Sequence, residues 1–123
     1  MAKIIEYEIK NDFSEQKKYP LLRFEVADNF WSRFCGLMLR RSIGSIDGLL
    51  LSPCNSIHMC FMRFGLDIIY LDENHRIIKI VQCLKPWLDM SWCRMATMAV
   101  ELPAGKSAEL GLKTGDIISP RPK

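Results

Sequence analysis

Only two histidines, His58 and His75, occur among the 123 residues, and the five cysteines (Cys35, Cys54, Cys60, Cys83, Cys93) contain no C-x2-C pair. A zinc cage built from paired ligands is therefore not expected, and no metal or cofactor is assigned. No apolar run reaches the roughly 18 residues that a membrane-spanning helix needs, so neither a membrane span nor a membrane partner is expected. The opening stretch MAKIIEYEIKNDF has no basic head, apolar core and small-residue cleavage site. A cytoplasmic location follows as the expectation, and with it five reduced thiols acting as small buried hydrophobes. The net charge of +3 comes from 17 basic and 14 acidic residues interspersed along the chain. That pattern shows neither the basic face nor the reading element of a nucleic-acid binder. There is also no linker, repeat, low-complexity segment or recognised catalytic motif, so residues 1–123 read as one domain.

What is present suffices for a core. Hydrophobic residues make up 49% and charged residues 25%, ordinary globular usage. Ala2–Lys10 alternates like a half-buried strand, with Ile5, Tyr7 and Ile9 on one side; Asn11–Pro20 is a polar loop and Leu21–Val26 a second strand. Asp28 caps a helix over Asn29–Arg41, marked by Phe30, Phe34, Leu37 and Met38. Further strands are expected at Leu49–Leu51, Ser56–Arg63, Leu66–Leu71, Arg76–Cys83, Met95–Leu102 and Asp116–Ser119, with a central hairpin turning at Phe64-Gly65. A helical turn near Ser107–Leu110 stops at Gly111. The fold class is mainly β (α+β): a small antiparallel, barrel-like domain of seven or eight short strands, with one main helix and a short helical turn. A short last strand leaves an edge that a weak homodimer could cover; otherwise the chain is a monomer.

The central stretch Pro53–Asp72 interrupts a run of large apolar residues with few polar ones, notably His58, Arg63 and Asp67. Cys54, His58 and Cys60 are zinc-type ligands, but in an extended strand residues 54 and 60 lie roughly 20 Å apart, against about 4 Å between ligands of one zinc. Only a sharp turn at Pro53-Cys54-Asn55 would bring them together. His58 and Cys60 share a strand face about 6.6 Å apart along it, which admits a Cys-His nucleophilic pair; such a pair would need side-chain contact, an orienting group and an oxyanion site, and the sequence shows none of these. Arg63 and Asp67 flank Phe64-Gly65-Leu66 and read either as a structural ion pair or as an anion-binding corner with Arg63 as the fork. Six methionines (Met38, Met59, Met62, Met90, Met95, Met98) and three tryptophans (Trp31, Trp87, Trp92) supply soft apolar surface. The segment PWLDMSW reads as a partly exposed loop, suited to contact or to capping a barrel end.

Taken in order, Gly36-Leu37-Met38 with Arg40, Gly48-Leu49-Leu50-Leu51, Ser56-Ile57-His58, Phe61-Met62-Arg63-Phe64, Leu66 to Asp72, Leu84-Lys85-Pro86-Trp87, Glu101 to Gly105 and Gly115-Asp116 resemble the uncharacterised prokaryotic family called domain of unknown function 192. The match runs over about residues 24–118, with the strand and loop of 1–23 ahead of it. The resemblance implies a compact, mostly β domain and carries no activity, substrate or cofactor. It also marks departures: Gly65 stands where members often have proline, and Cys60 where few have cysteine, which weakens a mechanism centred on Cys60.

These readings converge on a non-catalytic binding or accessory module. Its partner, a protein or a small molecule, would meet a surface formed by Arg40, His58, Met62, Arg63, Asp67 and Trp87. The rival expectations are a small hydrolase or transferase using His58, and metal or thiol handling through Cys54, His58 and Cys60.

Overall fold

The structure, a computed structural model, describes residues 3–11, 19–29, 44–59, 62–87 and 89–122. Its strands are β1 (Lys3–Lys10), β2 (Leu22–Ala27), β3 (Gly48–Leu51), β4 (Ser56–His58), β5 (Leu66–Leu71), β6 (Ile77–Leu84), β7 (Met90–Trp92), β8 (Met98–Pro103) and β9 (Ile117–Pro120), with one helix among the described residues, α1 (Lys106–Leu110). Seven strands form one sheet in the order β6-β5-β8-β3-β2-β1-β9, and β4 and β7 form a separate ribbon. All described pairings are antiparallel except β2 with β3.

The two edges of the large sheet meet. Arg76 bridges Ile117, the Ile77 N–H donates to the Asp116 carbonyl at 2.8 Å, and the Ile118 N–H donates to the His75 carbonyl at 2.9 Å. The sheet therefore curls toward a barrel, which shields part of both edges from open pairing.

Side-chain alternation divides the interior in two. Ile69 and Leu71 of β5 join Tyr7, Phe24, Leu50, Val100 and Ile118 inside the curl, whereas Leu66, Ile68 and Tyr70 join Leu49, Ile57, Met59, Met62 and Ala99 on the opposite face. Strands β3 and β5 are buried at every position, which explains why β3 and, apart from Asp67, β5 read as apolar runs instead of alternating ones. Leu110 of α1 and Leu112 just beyond it close the inner cluster. This helix ends at Gly111, whose φ of 68° lies in the left-handed region glycine adopts without penalty.

The mainly β, single-curl architecture agrees with the sequence reading, and β5 falls at the expected residues. Two details differ. The strand expected over Ser56–Arg63 stops at His58, so no hairpin joins it to β5; β4 instead pairs with β7, and β5 lies between β6 and β8. The segment PWLDMSW contributes β7, a strand too short for its alternation to show. The helix expected over Asn29–Arg41, with Arg40, lies outside the described residues.

Candidate functional site

Asp67 sits in the middle of the fold and is fully buried. Its Oδ2 accepts hydrogen bonds from Ser107 Oγ (2.6 Å), the Ser107 N–H (3.0 Å) and the Gly105 N–H (3.1 Å), and its Oδ1 accepts from the Cys83 N–H (2.9 Å). Burial alone would raise the carboxyl, but these four donors outweigh it and hold Asp67 below the ordinary carboxylate range. Asp67 thus fixes the start of α1 to β5 and β6. The ion pair expected with Arg63 is not formed: Arg63 is exposed and has no ion pair among the described residues, and Asp67 is satisfied elsewhere.

The exposed polar and aromatic residues gather instead on the β4–β7 ribbon. Met59, fully buried, organises it: its N–H donates to the Asp89 carbonyl (3.0 Å), and its own carbonyl accepts from the Trp87 N–H (2.7 Å) and the Met62 N–H (3.1 Å). The Lys85 N–H closes the neighbouring turn onto Asp89 Oδ2 at 2.7 Å. Trp87 is held at φ 75°, a left-handed conformation unfavourable for a bulky residue, and its side chain is exposed. Along the ribbon, His58 faces Met90 and Ser56 faces Trp92 outward, while Ile57 and Ser91 point inward.

The outward face is therefore apolar beyond ordinary surface scatter. Trp87 is 53% exposed, Met90 63%, Trp92 64% and Met95 76%, four large apolar side chains within nine positions. Arg63, Lys85 and Arg94 are exposed and enter no ion pair among the described residues, and Lys79 Nζ donates to the Trp92 carbonyl at 2.9 Å.

Beneath the ribbon lies a polar cluster. The Tyr70 hydroxyl donates to Ser91 Oγ at 2.9 Å, and Glu101, paired in register with Leu49 and Ile68, is buried on the same face. Burial above all pushes the Tyr70 phenol up to about 12; the Ser91 bond pulls the other way, and Cys54, Cys93 and Glu101 add to the rise.

Of the six residues singled out from the sequence, the structure brings His58 and Trp87 together on one surface through Met59, with Arg63 following Met62 in the same loop. Met62 and Asp67 lie in the interior, and Arg40 falls outside the described residues. His58 and the Tyr70–Ser91 hydroxyls occupy opposite faces of the ribbon, so they do not form a base–nucleophile pair. Cys60 is not described, and among the described residues no group of three His, Cys, Asp or Glu side chains converges as a metal site. Met90 and Trp92 belong to the PWLDMSW segment that the sequence reads as a partly exposed contact loop, and the structure sets them on β7; Lys85, Arg94 and Met95, which flank it in the chain, are exposed as well.

Comparison with known proteins places this arrangement in a wider set. The family model DUF192, described as "Uncharacterized ACR", matches residues 12–120. The chain is 36% identical over 100 residues to the UPF0127 protein of Pyrococcus furiosus, covering 77% of this chain and 85% of that protein. It is 33% identical over 101 residues to the UPF0127 protein of Thermococcus kodakarensis, covering 79% of this chain but only 64% of that longer relative. Two crystal structures share the fold: a candidate transcription regulator from Sinorhizobium meliloti (TM-score 0.85, 21% identity, 97% of this chain and 95% of that one) and a protein of unknown function from Novosphingobium aromaticivorans (TM-score 0.81, 22% identity, 94% and 84%).

Proposed function

Because the chain belongs to the uncharacterised DUF192 family, whose description names no activity, its own surface has to carry a functional reading, and we propose that it is a non-catalytic binding module. The contact surface is the outward face of the β4–β7 ribbon with Trp87 and Met95. The supporting observation is the cluster of four large apolar side chains, each more than half exposed, on a ribbon whose other face is packed into the core. Trp, Met and Arg are the residue types enriched at interface centres, and methionine adapts to irregular partners. The exposed cations Arg63, Lys85 and Arg94, without an ion pair among the described residues, favour a partner that presents carboxylates around an apolar segment.

The test is affinity capture with the intact protein, followed by titration calorimetry with each captured partner after purification. Trp87→Ala/Trp92→Ala is expected to weaken binding at least about 30-fold, the scale of losing two aromatic anchors, and binding is expected to weaken as salt rises. A purified partner that binds wild type and the double variant equally would overturn the reading.

A further inference from the structure

The fold divides the described methionines into two groups. Met59, Met62 and Met98 are 0%, 2% and 8% exposed, whereas Met90 is 63% and Met95 76% exposed. Both exposed thioethers belong to the ribbon or to the turn that follows it. Met90 stands opposite His58, and the Met59 N–H bond to the Asp89 carbonyl, one step beyond, makes theirs a non-hydrogen-bonded pair whose side chains project together on the outer face. Trp92, two positions along β7, shares that face. Met95 occupies the turn closed by the Ala96 N–H on the Cys93 carbonyl at 3.0 Å. Two of the four large apolar side chains on the contact surface are therefore thioethers open to solvent.

We propose that Met90 and Met95 are sites of reversible sulfoxidation by hydrogen peroxide, which switches the ribbon's outer face from apolar to polar and releases its partner. The inference rests on the reading of that face as a contact surface and names its regulation. Each thioether sulfur attacks one peroxide oxygen. An S–O bond forms as the O–O bond breaks, the proton on the transferred oxygen passes to the departing hydroxide, and water leaves. Sulfur loses two electrons and peroxide gains them. The sulfoxide is polar and chiral where the thioether was flexible and apolar, and sulfoxide reductases return it. Met59, whose backbone organises the ribbon, lies in the core cluster with Met62, and Met98 lies in the inner one. Oxidation confined to Met90 and Met95 therefore leaves both clusters intact and changes only what the surface attracts.

The experiment treats the intact native protein with a dose series of hydrogen peroxide, then with dithiothreitol, which restores reversibly oxidised thiols and leaves sulfoxides, and maps the proteolytic peptides by mass. Sulfoxide is expected at Met90 and Met95 ahead of Met59, Met62 and Met98. The oxidised protein should elute earlier from a hydrophobic-interaction column, keep its thermal midpoint, and regain its elution position after sulfoxide reductases for both epimers. Oxidation of Met59, Met62 or Met98 at the same dose, or unchanged elution of protein oxidised at Met90 and Met95, would overturn the proposal without reference to any partner. With a purified partner, oxidation is expected to weaken binding about 10-fold or more, the scale of losing an interface anchor. The affinity of Met90→Leu/Met95→Leu, whatever its starting value, should not change on peroxide treatment. Equal binding by oxidised and untreated wild type of a partner that Trp87→Ala/Trp92→Ala loses would sink the switch alone. Equal binding by the tryptophan variant would remove the contact reading and the switch with it.

Discussion

Asp67 Oδ2 and Ser107 Oγ meet at 2.6 Å across forty residues of sequence, joining the second residue of β5 to the first turn of α1. Since three further donors reach the same carboxylate, Asp67→Ala strands three N–H groups at once, the one on Ser107 buried and those on Cys83 and Gly105 partly buried. The expected cost is about 3 kcal/mol or more, and Asp67→Asn, which keeps one acceptor oxygen, should cost less. Urea melts of the two variants beside wild type check the order.

The same carboxylate gives acid sensitivity a definite sign. Its folded pKa lies below the unfolded value of 3.8, so its stabilisation is present above that value and is lost as pH falls through the lowered one. Wild type should lose stability below about pH 4 more steeply than Asp67→Asn, measured as thermal midpoints across the acid range.

Tyr70 sets the alkaline limit. Its phenol is raised from 10.0 to about 12, so the stabilisation is fully present below pH 10 and disappears as pH rises through 12. Tyr70→Phe should cost about 1 kcal/mol at neutral pH, from the lost Ser91 bond, and should flatten the decline above pH 10. Melting curves from neutral to strongly alkaline pH read both effects.

Gly48 is a matter of space. A Cβ there would stand 2.7 Å from Leu102 Cδ2 and 2.8 Å from the Glu101 carbonyl oxygen, and the second neighbour is backbone that cannot turn aside. Gly48→Ala should destabilise by about 2 kcal/mol or more, seen as a lower denaturation midpoint.

The ribbon surface should behave in the opposite way. Trp92→Ala removes a side chain that is 64% exposed and is expected to change stability by no more than about 0.5 kcal/mol while impairing partner binding. A large loss of stability would mean that Trp92 belongs to the packing instead.

Local patterning made much of this fold legible. The alternation of β1, the apolar run of β5 and the glycine after α1 each act within a few residues, so their signals survive in the sequence. Distance hid the rest. The pairing of β4 with β7 joins two three-residue strands more than thirty positions apart, too short for periodicity, and it alone exposes the face of Met90 and Trp92. Asp67 beside Arg63 reads as an ion pair until α1 arrives from forty residues away with better donors. The two central residues His58 and Trp87 stood out because polar or aromatic groups in an apolar stretch are conspicuous, but their shared surface depends on Met59 bonding across chain segments.

Strand β1 is held on one side by β2 and on the other by β9, with Tyr7 opposite Pro120 and the Arg121 N–H on the Glu6 carbonyl at 2.9 Å. During synthesis, therefore, β1 is made well before β9, the strand that covers its outer edge. Until β9 emerges from the ribosome, the outer edge of β1 stays open, a row of unpaired backbone groups of the kind that pairs with a neighbouring chain.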